Sequence, residues 1–120
     1  MKTVLLKNKH LIPALGYGTW MLPKVSAADF GSEGAPVLKE QTLQSIAKKY
    51  ERTPAQIALK WAIQRGTIVI PKSASESRVK ENFELDDLEL SEEDMQAITA
   101  LDQQKIFVNP IKWWGFPYFV

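Results

Sequence analysis

The sequence predicts an α/β fold, and three observations carry that prediction. A β-branched run, Thr67-Ile68-Val69-Ile70, breaks at Pro71 and hands over to a charged helical stretch. Two segments upstream keep helical spacing, with Leu43, Ile46, Ala47 and Tyr50 in the first and Ile57, Ala58, Trp61 and Ala62 in the second. The N-terminus alternates as a hairpin and runs into a glycine-containing strand.

In chain order, Thr3 to Leu6 and His10 to Pro13 flank a polar Lys7-Asn8-Lys9 turn and read as the two arms of a hairpin. Leu15 to Trp20 reads as a strand in which Gly16 and Gly18 permit close backbone approach of a ligand. Residues 21–36 are rich in turn formers and read as a loop or junction. Val37 to Tyr50 is predicted as an amphipathic helix. In Thr53-Pro54-Ala55-Gln56, Thr is the N-cap, Pro sits at N1 and Gln at N3, a capping box that opens a helix ending at Gly66. Ser91-Glu92-Glu93-Asp94 opens a last helix, its acidic residues suited to the dipole, with Met95, Ile98 and Leu101 facing inward.

Composition narrows the function classes. The chain has 120 residues, a net charge of +1 and no cysteine. Near-balanced charge provides no broad field for nucleic acid or an anionic membrane, and neither is expected as a partner. Lack of cysteine rules out disulfides and fits a cytoplasmic protein, the expected location. No apolar run approaches a membrane-spanning length, and Met1 to Lys7 is interrupted too soon for a signal peptide. A metal site has no support, because one histidine and scattered carboxylates lack ligand spacing.

The most chemically suggestive stretch is Ile70-Pro71-Lys72-Ser73-Ala74-Ser75-Glu76-Ser77-Arg78-Val79-Lys80-Glu81-Asn82. Lys72, Arg78 and the hydroxyls of Ser73 and Ser75 can converge where strand meets helix. The helix N-terminus adds N–H donors and a partial positive charge, which suits a phosphate. Arg78 can lay its guanidinium on a flat ring, and Glu81 and Asn82 can hydrogen-bond the ring edge. A 2′-phosphorylated adenosine would meet these needs. The plainer reading is a solvated, charge-rich turn that binds nothing.

The run Thr53 to Gly66, followed by Ile68-Val69-Ile70-Pro71-Lys72-Ser73 and the Arg78-x-x-Glu81-Asn82 helix, resembles the C-terminal third of an aldo-keto reductase. The match runs without gaps from about Leu38 to Asp102. Ile12-Pro13-Ala14-Leu15-Gly16-Tyr17-Gly18-Thr19-Trp20 is similar to that family's first barrel strand, and Phe107 to Val120 resembles the C-terminal loop of fungal xylose-reductase-like members. The resemblance implies an incomplete (β/α)₈ TIM barrel. It implies NADP(H) as cofactor, with Lys72, Ser73, Ser75, Arg78, Glu81 and Asn82 around the adenosine 2′-phosphate. Gly18, Thr19 and Trp20 would lie near the nicotinamide, and Ser32 would touch the pyrophosphate. That last position falls in Ala28-Asp29-Phe30-Gly31-Ser32, where the family commonly has Ser-Pro-Leu-Gly-Ser and where Gly31 and Ser32 match.

What the resemblance leaves out matters as much. Family members reduce carbonyls with an Asp, Tyr, Lys and His tetrad, and none of the motifs that carry it is present. His10 is the sole histidine and lies in the hairpin turn, while Tyr17, Tyr50 and Tyr118 lack the family's neighbours. A complete barrel of this type needs ~250 residues. The expectation is a single partial domain over 1–120, with the hairpin and first strand in 1–23, a junction in 24–36, and the cofactor-binding part and tail in 37–120. No catalytic residue is assigned, and whether the chain is an enzyme stays open. Three readings stand together: an NADP(H)-dependent reductase of carbonyls or sugars, which the chain alone is not expected to sustain; a non-catalytic nucleotide-binding remnant; and an interaction or decoy module that self-associates or docks onto a full-length relative. First and eighth strands neighbour one another in the closed barrel, so Gly16 to Trp20 and Thr67 to Pro71 are expected to pair in parallel. The aromatic tail, Trp113 to Phe119, reads as a cover over exposed barrel rather than a substrate pocket.

Overall fold

Segments far apart in sequence meet at a short parallel contact on which the fold is organised. The computed structural model describes residues 2–18, 37–73 and 75–102. Strands β1 (Thr3–Leu5) and β2 (Leu11–Pro13) pair antiparallel with Val4 opposite Ile12. Their turn puts Lys9 at φ 67°, a left-handed position that a short loop needs. Beyond β2 the chain bends at Ala14. Leu15 bridges Val69 in parallel. The ladder is Val69 N–H to Ala14 O at 2.9 Å, Gly16 N–H to Val69 O at 2.9 Å and Gly18 N–H to Pro71 O at 2.8 Å. The predicted parallel pairing of the two segments is therefore present, though as one bridge rather than two full strands. Thr19 and Trp20 lie outside the described residues.

Gly18 serves this contact in a way the sequence reading did not foresee. A Cβ there would lie 2.5 Å from the Ile70 carbonyl oxygen and 3.2 Å from the Lys72 Cβ. The close approach that Gly18 allows is thus to the chain's own backbone.

Among the described residues there are four α-helices: α1 (Gln41–Lys49), α2 (Pro54–Gln64), α3 (Glu76–Phe83) and α4 (Glu92–Thr99). The predicted helix over Val37 to Tyr50 is split. Val37–Lys39 form a 3₁₀ turn, and Glu40 then caps α1 by accepting the Thr42 N–H at 2.9 Å. A capping side chain fixes where helical hydrogen bonding starts, which is why the helix begins at Gln41. The Thr53–Gln56 capping box forms as predicted, with both arms at 3.2 Å. Past α2, Gly66 takes φ +82°, a backbone state that favours glycine.

The core joins Ala14 and Leu15 to Leu43, Ile46 and Ala47 of α1, Ile57 and Ile63 of α2, Leu85, Leu88 and Leu90, and Ile98 of α4. Most of the residues expected to face inward pack against this core, though several are only half-buried. In α2 the buried residues are Gln56, Ile57 and Ile63, whereas Ala58, Trp61 and Ala62 are half-buried. Trp61 stays near the surface because its indole N–H donates to Thr99 Oγ1 at 3.2 Å. In α4 Met95 is half-buried, as is Leu101 just beyond the helix, while Asp94 is buried together with Ile98.

Asp94 can be buried because its Oδ2 is saturated with donors. Lys49 Nζ lies at 2.7 Å, Tyr50 Oη at 2.6 Å and Ser91 Oγ at 2.7 Å. Tyr50 Oη in turn accepts the Ser91 N–H at 2.9 Å, closing a network between α1 and α4. The Lys49 bond, then the Tyr50 bond, bring the Asp94 carboxyl from 3.8 down to about 2, against the opposing effect of burial. Lys49 is raised for the same reason. A folded-state value below the unfolded one stabilises the protein above pH ~4, and that contribution is lost as pH falls through about 2.

Two outcomes follow. Because the Lys49 side chain is 56 % exposed, solvent screening trims the pair, and Asp94→Ala should lose on the order of 1 kcal/mol at pH 7. Urea midpoints followed from pH 5 to pH 2 should fall more steeply for the natural chain than for the variant; parallel curves would contradict this. Gly18→Ala should cost roughly 1–3 kcal/mol by forcing the ladder apart. Gly66→Ala, strained but with open space around it, should cost roughly 1 kcal/mol. The ordering, read from urea midpoints, is the test.

Candidate functional site

The corner where residues 69–73 leave the parallel contact and α3 begins gathers most of the residues singled out by sequence. Lys72 is exposed and Ser73 is buried. The bend is built by side chain to backbone bonds. Ser75 N–H donates to Ser73 Oγ at 3.1 Å, Ser73 Oγ reaches back to Ser75 O at 3.4 Å, and Ser75 Oγ meets Ser77 Oγ at 2.8 Å. Such short loops of hydroxyl bonding are how serine competes with regular structure and fixes a turn.

From the N-terminal side the corner is held by Tyr17, whose hydroxyl donates to the Ser73 carbonyl. This contact was not read from the sequence. Its only sequence signal is a tyrosine between Gly16 and Gly18, two positions from Leu15, which bridges Val69.

Ser75 stands at the N-cap of α3, yet its side chain makes no capping bond. The first N–H groups of an uncapped helix carry partial positive charge and want acceptors. Arg78 lies in the first turn of α3 and Lys72 just ahead of the helix in the chain, while Glu76 puts a carboxylate in that same turn. Among the described residues the ion pairs are Lys49–Asp94 and Arg52–Asp87, so neither Lys72 nor Arg78 is matched to a carboxylate. Donor chemistry of this kind suits a phosphate oxygen cluster.

The second half of α3 is tied to α2. Thr53 Oγ1 donates to Glu81 Oε1 at 2.6 Å, and Gln56 Nε2 donates to the carbonyls of Glu81 at 3.0 Å and Glu84 at 3.3 Å. Glu81 thus shares its carboxylate with the α2 cap. Asn82, one residue on, is half-buried, and Arg78, one turn back, is exposed. The capping box of α2 therefore also sets the position of α3.

Of the predicted positions, the structure brings together Gly18, Lys72, Ser73 and Ser75, with Arg78, Glu81 and Asn82 along the helix that follows. Thr19, Trp20 and Ser32 lie outside the described residues, as do the junction and the aromatic tail. Tyr17 spends its proton on Ser73, and His10 sits exposed at the hairpin turn. Among the described residues no cluster of His, Cys, Asp and Glu could hold a metal ion.

Comparisons with known proteins fit this geometry. A sequence model described as the Aldo/keto reductase family matches residues 14–103. The chain is 46 % identical over 82 residues to rat aldo-keto reductase family 1 member D1, covering 68 % of this chain and 25 % of that protein. It is 42 % identical over 85 residues to the NADPH-dependent D-xylose reductase of Meyerozyma guilliermondii, covering 71 % and 27 %. Among solved structures, an aldo-keto reductase of the silkworm Bombyx mori, also solved complexed with NADPH, superposes with a TM-score of 0.62 at 32 % identity, over 70 % of this chain and 26 % of that one. The aldose reductase of Schistosoma japonicum gives a TM-score of 0.62 at 31 % identity, over 67 % and 27 %. The chain spans about a quarter of the length of the curated relatives it matches. With three quarters of its sequence under the family model, and with the first-strand segment paired to the strand before the Pro-Lys-Ser corner, the chain belongs to the aldo/keto reductase family.

Proposed function

We propose that the chain is a partial aldo-keto reductase domain, an incomplete (β/α)₈ barrel that keeps the adenosine end of an NADP(H) site and does not complete carbonyl reduction alone. One observation carries the reading. The ladder from Ala14 to Gly18 against Val69 to Pro71 holds the Gly18 end of the first strand beside Lys72, as a cofactor lying across both would require.

In this reading Lys72 and Arg78 take the 2′-phosphate, helped by Ser73, Ser75 and the N–H groups opening α3. Arg78 stacks its guanidinium on the adenine, and Asn82, with the part of Glu81 not given to Thr53, meets the ring edge. Two cations with no carboxylate partner among the described residues favour NADP(H) over NAD(H). Thr19, Trp20 and Ser32 complete the proposed contacts toward the nicotinamide and pyrophosphate. The printed names of relatives support this choice: one is an NADPH-dependent D-xylose reductase, another an NADP-dependent D-sorbitol-6-phosphate dehydrogenase of Malus domestica.

The bound cofactor would supply a hydride; this chain's residues bind and orient it. Reduction also needs a proton donor at the carbonyl oxygen. Tyr17 is engaged with Ser73, and the family's tetrad motifs are missing from the sequence. A carbonyl or sugar substrate is therefore expected only where the site is completed by other residues. The domain division proposed is 1–23, a junction at 24–36 and 37–120, in a cytoplasmic protein. Among the described residues no helix is long and apolar enough to cross a membrane.

A second reading rests on exposed apolar surface. Ile70 is 69 % exposed and Ile68 36 %, both beside the parallel contact. Such a face favours self-association or docking onto a full-length relative. Light scattering decides it: a clean monomer at micromolar concentration, and none bound to a purified full-length reductase, would set it aside.

The cofactor reading is tested by titrating the natural chain with NADPH while following ligand fluorescence, with NADH alongside. Saturable binding should favour NADPH. Arg78→Ala should weaken it by about 10- to 100-fold with the circular dichroism spectrum unchanged, the scale of one charge-assisted phosphate contact. An unchanged dissociation constant in that variant would sink the assignment.

A further inference from the structure

Lys72 sits between two peptide carbonyls that consecutive residues of the N-terminal segment hold in place. On one side the Pro71 carbonyl accepts the Gly18 N–H at 2.8 Å, and on the other the Ser73 carbonyl accepts the Tyr17 hydroxyl. The first bond belongs to the backbone ladder. The second is made by a side chain and reaches past Pro71, where the ladder among the described residues ends. It holds the residue whose Oγ accepts the Ser75 N–H at 3.1 Å and so sets the bend into α3.

Burial points to the hydroxyl rather than the ring. Tyr17 is 42 % exposed, whereas Ser73 is buried. A tyrosine placed for packing covers its ring, and here much of that gain is forgone. What Tyr17 contributes is a hydrogen bond carried on a stiff side chain. Gly18 completes the arrangement. A Cβ there would lie 3.2 Å from the Lys72 Cβ and 3.3 Å from the Lys72 N, so the root of the Lys72 side chain rests against the first strand. A lysine ammonium is a point charge on a flexible stem, with no fixed fork to impose geometry on a phosphate. Where that charge can stand is governed by the backbone at its root.

We propose that Tyr17 is a positioning residue that sets how strongly this corner prefers NADPH to NADH. By holding the Ser73 carbonyl it fixes the backbone from Lys72 to Ser73 before any ligand arrives, so less ordering is left to the binding step. The inference rests on the cofactor reading, in which Lys72 and Ser73 serve the 2′-phosphate. NADH carries a hydroxyl at that position. Loosening the corner therefore weakens NADPH selectively, whereas a general loss of structure weakens both ligands alike. Tyr17 itself makes no contact with the cofactor; its effect passes through Ser73.

Tyr17→Phe removes the hydroxyl and keeps the ring, which isolates the bond. Fluorescence titrations with NADPH and NADH should show the ratio of the NADH to the NADPH dissociation constant falling by about 3- to 10-fold, the range of one uncharged hydrogen bond. Arg78→Ala is run alongside. A ratio that falls in Arg78→Ala and stays at the natural value in Tyr17→Phe would overturn this proposal and leave the cofactor reading standing. A natural chain with no preference for NADPH would overturn both. Hydrogen exchange without cofactor reads the positioning itself. In Tyr17→Phe the Ser75 amide should speed up by a larger factor than the amides of Ile46 and Ile57, because its partner Ser73 is released. A Ser75 amide that keeps its rate, or gains no more than the helical core, would contradict the proposal.

Discussion

Three hydrogen bonds between Ala14 to Gly18 and Val69 to Pro71 are the constraint on which this chain depends. They join an N-terminal segment to one more than fifty residues later, and they carry Ala14 and Leu15 into the core beside Leu43, Ile46 and Ile63. Among the described residues they are the backbone hydrogen bonds that tie the N-terminal segment to the rest of the fold, and they fix the course of residues 69–71 ahead of α3. Gly18 sets how close the two backbones come, and Tyr17 locks the far end through Ser73. A parallel pair is weaker per residue than an antiparallel one, so its short length puts a premium on these side supports.

The helical layer is held as much by polar cross-links as by apolar contact. Gln64 is an example: its Nε2 donates to Leu90 O at 3.1 Å while its Oε1 accepts the Leu90 N–H at 2.8 Å. Lys60 Nζ donates to Leu85 O at 3.0 Å, and Gln56 serves Glu81 and Glu84. One face of α2 thus reads the backbone of residues 81–90 in the manner of a missing strand. Loop carbonyls near a core need partners, and long amide side chains supply them where a sheet does not. Among the described residues no buried side-chain nitrogen or oxygen lacks a partner.

Local chemistry was legible in the sequence, and long-range side-chain contact was not. Thr53, Pro54 and Gln56 announce their helix because the signal lies within four residues. The hairpin is equally local. Pairing of the first strand with the strand before Pro71 followed from resemblance to a known barrel, not from periodicity, since a segment with glycine at two of five positions gives little strand signal. Tyr17 to Ser73, Tyr50 to Asp94 and Gln64 to Leu90 join residues 26 to 56 apart and had no local mark. Asp94 was the nearest to being found: Ser91-x-x-Asp94 has capping spacing, but its burial comes from Lys49 and Tyr50 on another helix. At the cofactor corner the residue types were readable, while the sharing of Glu81 with Thr53 was a product of helix packing.

The corner and the ladder are one structure. Lys72, Ser73 and the start of α3 follow directly on the backbone bonds that join the N-terminal segment to residues 69–71, so a ligand there would sense the pairing and the pairing would be tightened by the ligand. Native-state hydrogen exchange tests this most directly. The amides of Gly16, Gly18 and Val69 should exchange as slowly as those of Ile46 and Ile57 in the helical core, because opening the ladder and unfolding the core are the same event. Exchange of those three amides at the rates of an unfolded chain, while the helices remain protected, would show that the ladder does not hold the fold and would contradict the account.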